Sequence, residues 1–157
     1  MELASWPGFP PRSRLIPVGI VGGWLAAGSP AEAAFQAMAG GSALIATGVK
    51  AVTRRPRPVA PEVNIVVAEL GGTSFPSGHV LSYVGTYGFL AYLLSARVRD
   101  PLVRALLMAP LIALIVSVGP SRIHQGHHWS TDVLASYLLG ISYVAALAAL
   151  HRRWLAR

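Results

Sequence analysis

Four stretches of the chain are apolar runs bounded by charges or turn residues, each near the roughly 20 residues a helix needs to cross a bilayer. The first covers residues 30–52 and carries no charge between Glu32 and Lys50. Ser29 followed by Glu32 predicts a capping box, and Pro30 suits the first helical position. The second covers 79–96 and the third 101–119, with Asp100 as the expected N-cap and Pro110 as an expected kink. The fourth covers 133–150 and closes in a basic tail of His151, Arg152, Arg153 and Arg157. A fifth segment, 15–28, is short and contains Pro17 and several glycines. It reads as a short span or as a re-entrant or interfacial piece. The pattern therefore predicts an all-α fold: a polytopic transmembrane bundle of four to five spans, with residues 1–157 as a single domain.

Between these runs, residues 59–75 are too broken by Pro and Gly to span, and Ile65-Val66-Val67 is their one compact apolar stretch. They read as a membrane-edge loop. The first residues, MELASWPGFPPR, lack the basic start and small-residue cleavage site of a removable leader, so none is expected.

Composition agrees with the pattern. Of 157 residues 54% are hydrophobic and only 12% charged, about half the share usual in soluble proteins. There is no Cys, which excludes a disulfide scaffold, a thiolate metal site and a cysteine nucleophile. The net charge of +7 does not point to nucleic acid. A nucleic-acid-binding face concentrates Lys and Arg on a solvated surface, whereas these cations sit between apolar runs.

The polar residues gather in three clusters, at 50–57, 76–79 and 121–132. The chain does not cross between the first two clusters and crosses twice between the second and third. All three are therefore expected at one membrane face.

Lys50, Arg54, Arg55 and Arg57 read either as a juxtamembrane anchor or as a phosphate clamp, in which Lys supplies a point charge and Arg a bidentate fork. Pro76-Ser77-Gly78-His79 reads either as an ordinary helix start or as an anion site. In the second case Ser77 and the Gly78 N–H face the anion and His79 stands by for proton transfer.

The third cluster holds His124, His127 and His128 within five residues, which raises a metal site. The lack of Cys and the scarcity of carboxylates weigh against it. His128 and Asp132 are one helical turn apart. A carboxylate on one imidazole nitrogen fixes the tautomer and leaves the other nitrogen free to attack. Arg122, on the same loop, would meet the negative charge, while His124 and His127 have no evident partner. Trp129 and Trp154 read as interface anchors. Two histidines, a carboxylate, several cations and a helix N-terminus form an inventory for phosphoryl transfer through a phosphohistidine.

The three clusters resemble the three-part signature of the type 2 phosphatidic acid phosphatase superfamily, the lipid phosphate phosphatases. Lys-x6-Arg-Pro is met by Lys50, Arg57 and Pro58, and Pro-Ser-Gly-His by Pro76, Ser77, Gly78 and His79. Ser-Arg-x5-His-x3-Asp is met by Ser121, Arg122, His128 and Asp132, so the signature lies within 50–132.

The resemblance implies a helical membrane enzyme that needs no metal or other cofactor and hydrolyses a lipid phosphomonoester or diphosphate. The substrate would be of polyprenyl phosphate or phosphatidate type. It implies His128 as nucleophile oriented by Asp132, and His79 as the acid for the leaving oxygen. Lys50, Arg57, Ser77, Gly78 and Arg122 would hold the phosphoryl group. Small bacterial members are of this kind, which implies a bacterial cell membrane. Two other readings are a lipid-phosphate binder or transporter without turnover, and a vanadate-dependent haloperoxidase; the apolar spans oppose the second.

With five spans the clusters share their side with Arg12, Arg14, Arg54 and Arg55 once the three proposed cationic ligands are set aside. The other side carries Arg97, Arg99, Arg104, Arg152, Arg153 and Arg157. The positive-inside rule then expects the clusters on the extracytoplasmic side.

Overall fold

The structure is a computed structural model and describes residues 6–59 and 71–157. The expectations for the leader and for Ile65-Val66-Val67 lie on residues 1–5 and 60–70, outside the described residues.

After a 3-10 turn at Trp6–Gly8 come α1 (Arg12–Ala26), α2 (Pro30–Gly40) and α3 (Ser42–Thr53). A continuous helical path follows, made of α4 (Gly78–Tyr83), a π-helical turn (Val84–Gly88) and α5 (Phe89–Arg97). The chain ends with α6 (Pro101–His124) and α7 (Ser130–Leu155). No strand occurs among the described residues. The protein is an all-helical membrane bundle.

Helices α6 and α7 are each long and apolar enough to cross a bilayer, and only 11% and 28% of their most apolar windows are buried. Leu102, Leu106, Ile112 and Val116 on α6, and Leu134, Leu138 and Ile141 on α7, face outward. Outward apolar faces on helices that satisfy their own backbone polar groups are what a lipid environment covers. The core proper lies inside. Phe35, Ala39, Phe89, Leu93 and Leu147 form one cluster, and Val80, Tyr83, Val84, Val118 and Val133 form another.

Four local features differ from the sequence expectation. The run 30–52 is not one helix but two, divided at Gly41. The joint lies against Gly85 of the π-helical turn, where a Cβ would come within 2.6 Å of the Ala39 carbonyl oxygen. Hydrophobicity is unbroken across 30–52, so the pattern gave no sign of the break; the glycine pair Gly40-Gly41 is its local cause. The Gln36 amide donates to the Thr86 carbonyl inside the π-helical turn at 2.9 Å.

The expected capping box at Ser29 does not form, since Ser29 makes no side-chain cap. Glu32 instead pairs with Arg97, whose guanidinium also lies 5.5 Å from the Trp24 ring. Asp100 does cap α6, accepting from the Val103 N–H at 2.8 Å.

The third difference is that α6 does not stop at Gly119 but continues through Pro120 to His124. Pro120 offers no N–H to the Val116 carbonyl. The Tyr137 hydroxyl of α7 enters the ladder there, 3.1 Å from Val116 O and 2.7 Å from Ile115 O, and the Gly119 N–H lies 3.1 Å from it. Gly119 is required for this approach, because a Cβ would sit 2.6 Å from the Tyr137 oxygen. Ser121 and Arg122 consequently belong to the last turn of α6 and not to a loop.

His151, expected in the basic tail, is only 3% exposed. It packs edge-on against Phe35, Phe89 and Tyr92, with its Nδ1 3.1 Å from the Tyr92 hydroxyl.

Candidate active site

The three polar clusters meet at one end of the bundle, the first and third joined by direct hydrogen bonds and the second through Ser136. Arg54 ends α3 in the left-handed region, at φ 45°. That turn carries the following residues back toward α6 and α7. Arg57 donates to the His127 carbonyl at 2.6 Å, and Arg55 reaches Asp132 Oδ1 at 2.7 Å. Lys50, on the last turn of α3, donates to the Thr73 carbonyl at 2.6 Å, just ahead of the Pro76–His79 cluster. Ser77 at the head of α4 gives its N–H to Ser136 Oγ of α7 at 2.8 Å, and Ser136 in turn donates to the Asp132 carbonyl at 2.6 Å. Lys50, Arg57 and Arg122 all act electrostatically on both His79 and His128.

Asp132 is 0% exposed and serves several donors. Oδ2 accepts from the Ser74 hydroxyl and, at 3.0 Å, from the Trp129 N–H; Oδ1 accepts from Arg55. His128 Nδ1 stands 3.8 Å from Oδ2. That is an ion-pair separation and too long for a hydrogen bond. The one-turn spacing expected from the sequence brings the two groups face to face without bonding them.

Burial holds the His128 imidazole neutral, lowering its pKa from the ordinary 6.5 to about 2. The cations Arg57, Lys50 and Arg122 add to that effect, and a hydrogen bond to the Ser74 backbone opposes it. At neutral pH His128 therefore keeps a lone pair, as a nucleophile requires.

Arg122 is the largest fully buried side chain among the described residues, at 0% exposure. Its Nη2 donates to His127 Nδ1. Since arginine carries only donors, Nδ1 is the acceptor and the His127 proton sits on Nε2. Nε and Nη1 of Arg122 have no partner, and no carboxylate pairs with this guanidinium among the described residues. Ser77 Oγ, His79 Nε2 and His128 Nδ1 are buried and unpartnered as well. Unmet buried polar atoms are uncommon in folded proteins, and a buried unpaired cation is costly. Four of the predicted site residues share this condition, and the donors among them suit an anion.

Gly78 needs no special backbone angle, and a Cβ there would meet only the Ala46 Cβ, at 3.9 Å. Packing does not demand glycine at this position. Gly78, His79 and Lys50 line one end of a cleft of about 360 Å³ that runs between α1, α3 and α4 past Pro17, Ala43, Thr47 and Tyr87.

The sequence reading missed several neighbours. Phe9 lies edge-on to His79 at 5.0 Å between ring centres, and the Arg122 guanidinium lies 5.4 Å from the same ring. Gly8 comes so near His79 that a Cβ would sit 2.3 Å from its ring. His127, read as partnerless, holds Arg122. Trp129, read as an interface anchor, gives its indole N–H to the Pro56 carbonyl at 3.1 Å and has the Arg55 guanidinium 5.9 Å from its ring. His124 is exposed, and no group of three or more His, Cys, Asp or Glu able to hold a metal occurs among the described residues. Arg55 and Ser74 were legible only as members of polar runs, because their shared partner Asp132 lies far along the chain.

A family model described as the PAP2 superfamily matches residues 32–156, most of the chain. The chain belongs to the PAP2 superfamily. Among similar proteins, a probable lipid phosphate phosphatase 4 of Arabidopsis thaliana is 36% identical over 87 residues, covering 52% of this chain. The match spans only 28% of that longer relative. The crystal structure of a transmembrane PAP2-type phosphatidylglycerolphosphate phosphatase from Bacillus subtilis superposes with a TM-score of 0.79. That match covers 96% of this chain and 74% of the other, and at 23% identity the likeness is one of fold. This PAP2 chain thus combines a membrane-bundle fold with a cluster of cations and histidines at one end of its helices.

Proposed function

We propose that the protein is an integral membrane lipid phosphatase that hydrolyses a phosphomonoester or diphosphate of a lipid through a phosphohistidine on His128. The single observation that carries this reading is Arg122, a fully buried guanidinium with two unpartnered nitrogen atoms and no acidic partner among the described residues. Such a group is stable in place when an anion completes it. Family membership and the orphaned polar atoms of Ser77 and His79 support the same reading.

In this mechanism Arg122, Lys50, Arg57, the Ser77 hydroxyl and the Gly78 N–H hold the phosphoryl oxygens. Asp132 faces Nδ1 of His128, and Nε2 attacks phosphorus once its bond to the Ser74 backbone is released. An N–P bond forms, the P–O bond to the lipid breaks, and the departing oxygen takes the proton that His79 carries when the phosphate dianion is beside it. Water then attacks the phosphohistidine while His79 accepts its proton, the N–P bond breaks, and inorganic phosphate leaves. Positioning and fixed positive charge supply most of the acceleration.

The cleft lined by His79 and Lys50 supports a substrate with an apolar body, since Pro17, Gly40, Ala43, Ala46 and Tyr87 also line it. Polyprenyl phosphates and phosphatidate-type lipids both fit that description. Arg14 lines the same cleft, so the head of α1 lies on the site's side. Arg99, Arg152, Arg153 and Arg157 are exposed elsewhere. The positive-inside rule then supports an extracytoplasmic site in a bacterial cell membrane.

The test is phosphate release from purified lipid phosphates and diphosphates in mixed micelles, with and without EDTA. We expect release from at least one class, unaffected by chelator and abolished in His128→Ala. Release undiminished in that variant, or lost to EDTA and restored by zinc, would overturn the mechanism. Lipid-phosphate binding without release from any substrate would make the protein a binder.

A further inference from the structure

Arg55 stands outside the set of predicted phosphate ligands, yet it makes the closest ion pair to Asp132, at 2.7 Å. The same Nη1 atom lies 2.9 Å from Thr131 Oγ1. The Arg55 carbonyl accepts the Ser74 N–H at 2.7 Å, and the Ser74 hydroxyl donates to the other oxygen of Asp132. Arg55, Ser74 and Asp132 thereby close a ring of contacts that ties the first and third polar clusters to the loop just ahead of the second.

We propose that Arg55, with Ser74, is a positioning residue that clamps the Asp132 carboxylate from both oxygens so that it faces Nδ1 of His128. The proposal rests on the reading of His128 and Asp132 as the reacting pair.

A carboxylate with one oxygen free can rotate about its terminal bond, whose torsional profile is broad. Here a guanidinium fixes Oδ1, while a hydroxyl and the Trp129 N–H fix Oδ2. The plane of the carboxylate is set before substrate arrives. Nδ1 has no hydrogen-bond partner, so the bond to the Ser74 backbone falls to Nε2. Attack by Nε2 needs that bond given up and the proton moved to Nδ1, which Oδ2, facing it at 3.8 Å, favours. Lys50, Arg57 and Arg122 are the cations that act on His128, and Arg55 is not among them. The clamp therefore acts through the orientation of Asp132 and not through the phosphate. Supporting groups of this kind at other sites typically change activity about 10- to 100-fold when removed.

The experiment compares Arg55→Ala, Arg55→Lys and Ser74→Ala with the wild-type chain in detergent. It measures kcat and KM together with the His128 tautomer by 15N chemical shifts of the imidazole. We expect Arg55→Ala to lower kcat about 10- to 100-fold with KM within about twofold. With orthovanadate, a phosphate mimic, bound, we expect the imidazole to move from the Nδ1–H form of the wild-type chain to a mixture. Arg55→Lys should restore much of both, and Ser74→Ala should reproduce the tautomer change. A raised KM at unchanged kcat would make Arg55 a phosphate ligand, and an unchanged tautomer would make it a spectator; either overturns the proposal. If the wild-type chain releases no phosphate, the catalytic reading fails on its own, while the tautomer comparison still decides the role of Arg55.

Discussion

His128 Nδ1 and Asp132 Oδ2 face each other across 3.8 Å, one helical turn apart, with the carboxylate occupied by Ser74, Trp129 and Arg55. The histidine is held in place by burial and held neutral by the same burial and the cations around it. This gives stability a definite pH dependence. Below the ordinary histidine pKa of about 6.5 the unfolded chain takes up a proton at His128, while the folded chain, with a pKa of about 2, does not. The unfolded state then binds more protons, so this group's contribution is fully present above pH 6.5 and is lost progressively as pH falls below it. The thermal midpoint in detergent should drop between pH 7 and pH 5, with a shallower drop in His128→Gln. Equal slopes in the two proteins would contradict the assignment.

Gly78 offers a clean separation of fold from function. An added Cβ meets only the Ala46 methyl group, at ordinary contact distance. Gly78→Ala should keep the wild-type thermal midpoint within about a degree, since a surface-like change without a clash is worth under about 0.5 kcal/mol. It should nevertheless lower kcat/KM at least tenfold, because the methyl group crowds the N–H that faces phosphate. Unimpaired turnover would remove Gly78 from the site.

Phe9 lies edge-on to His79, and the Arg122 guanidinium stands over its ring. An anion reaching Arg122 must displace a cation–π contact of about 1 kcal/mol. Phe9→Ala should tighten inhibition by orthovanadate, a phosphate mimic, by about fivefold, a factor that corresponds to this energy. Weaker inhibition would show that Phe9 supports the bound anion instead.

The Tyr137 hydroxyl replaces backbone partners that Pro120 and the Gly119 approach leave open in α6. Tyr137→Phe should destabilise the protein by about 1–3 kcal/mol, the cost of stranding such groups. It should lower activity through Arg122, which rides on the same turn. An unchanged thermal midpoint would mean that the α6 ladder closes without Tyr137.

How far the sequence reveals this protein depends on how local each cause is. The signature residues announce themselves by type, since Lys50, Arg57, His79, Arg122, His128 and Asp132 stand out in a chain with few charges. The apolar runs likewise mark the helices, and Asp100 caps α6 as its position implies. What stays hidden is set at a distance. Glu32 looks like a local cap until Arg97 comes beside it, and His151 looks like tail until Phe35, Phe89 and Tyr92 surround it. The passage of α6 through Pro120 depends on a tyrosine in the next helix. Arg55 is indistinguishable in sequence from the cations beside it, and the fold alone turns it toward Asp132.

The most direct measurement is a rapid quench of the purified protein with a lipid phosphate labelled with 32P in the reacting phosphoryl group. The account predicts a transient, acid-labile and alkali-stable phosphoramidate that maps to His128 and is missing from His128→Ala. Turnover at wild-type rate with no label on His128, or label on another residue, would contradict it.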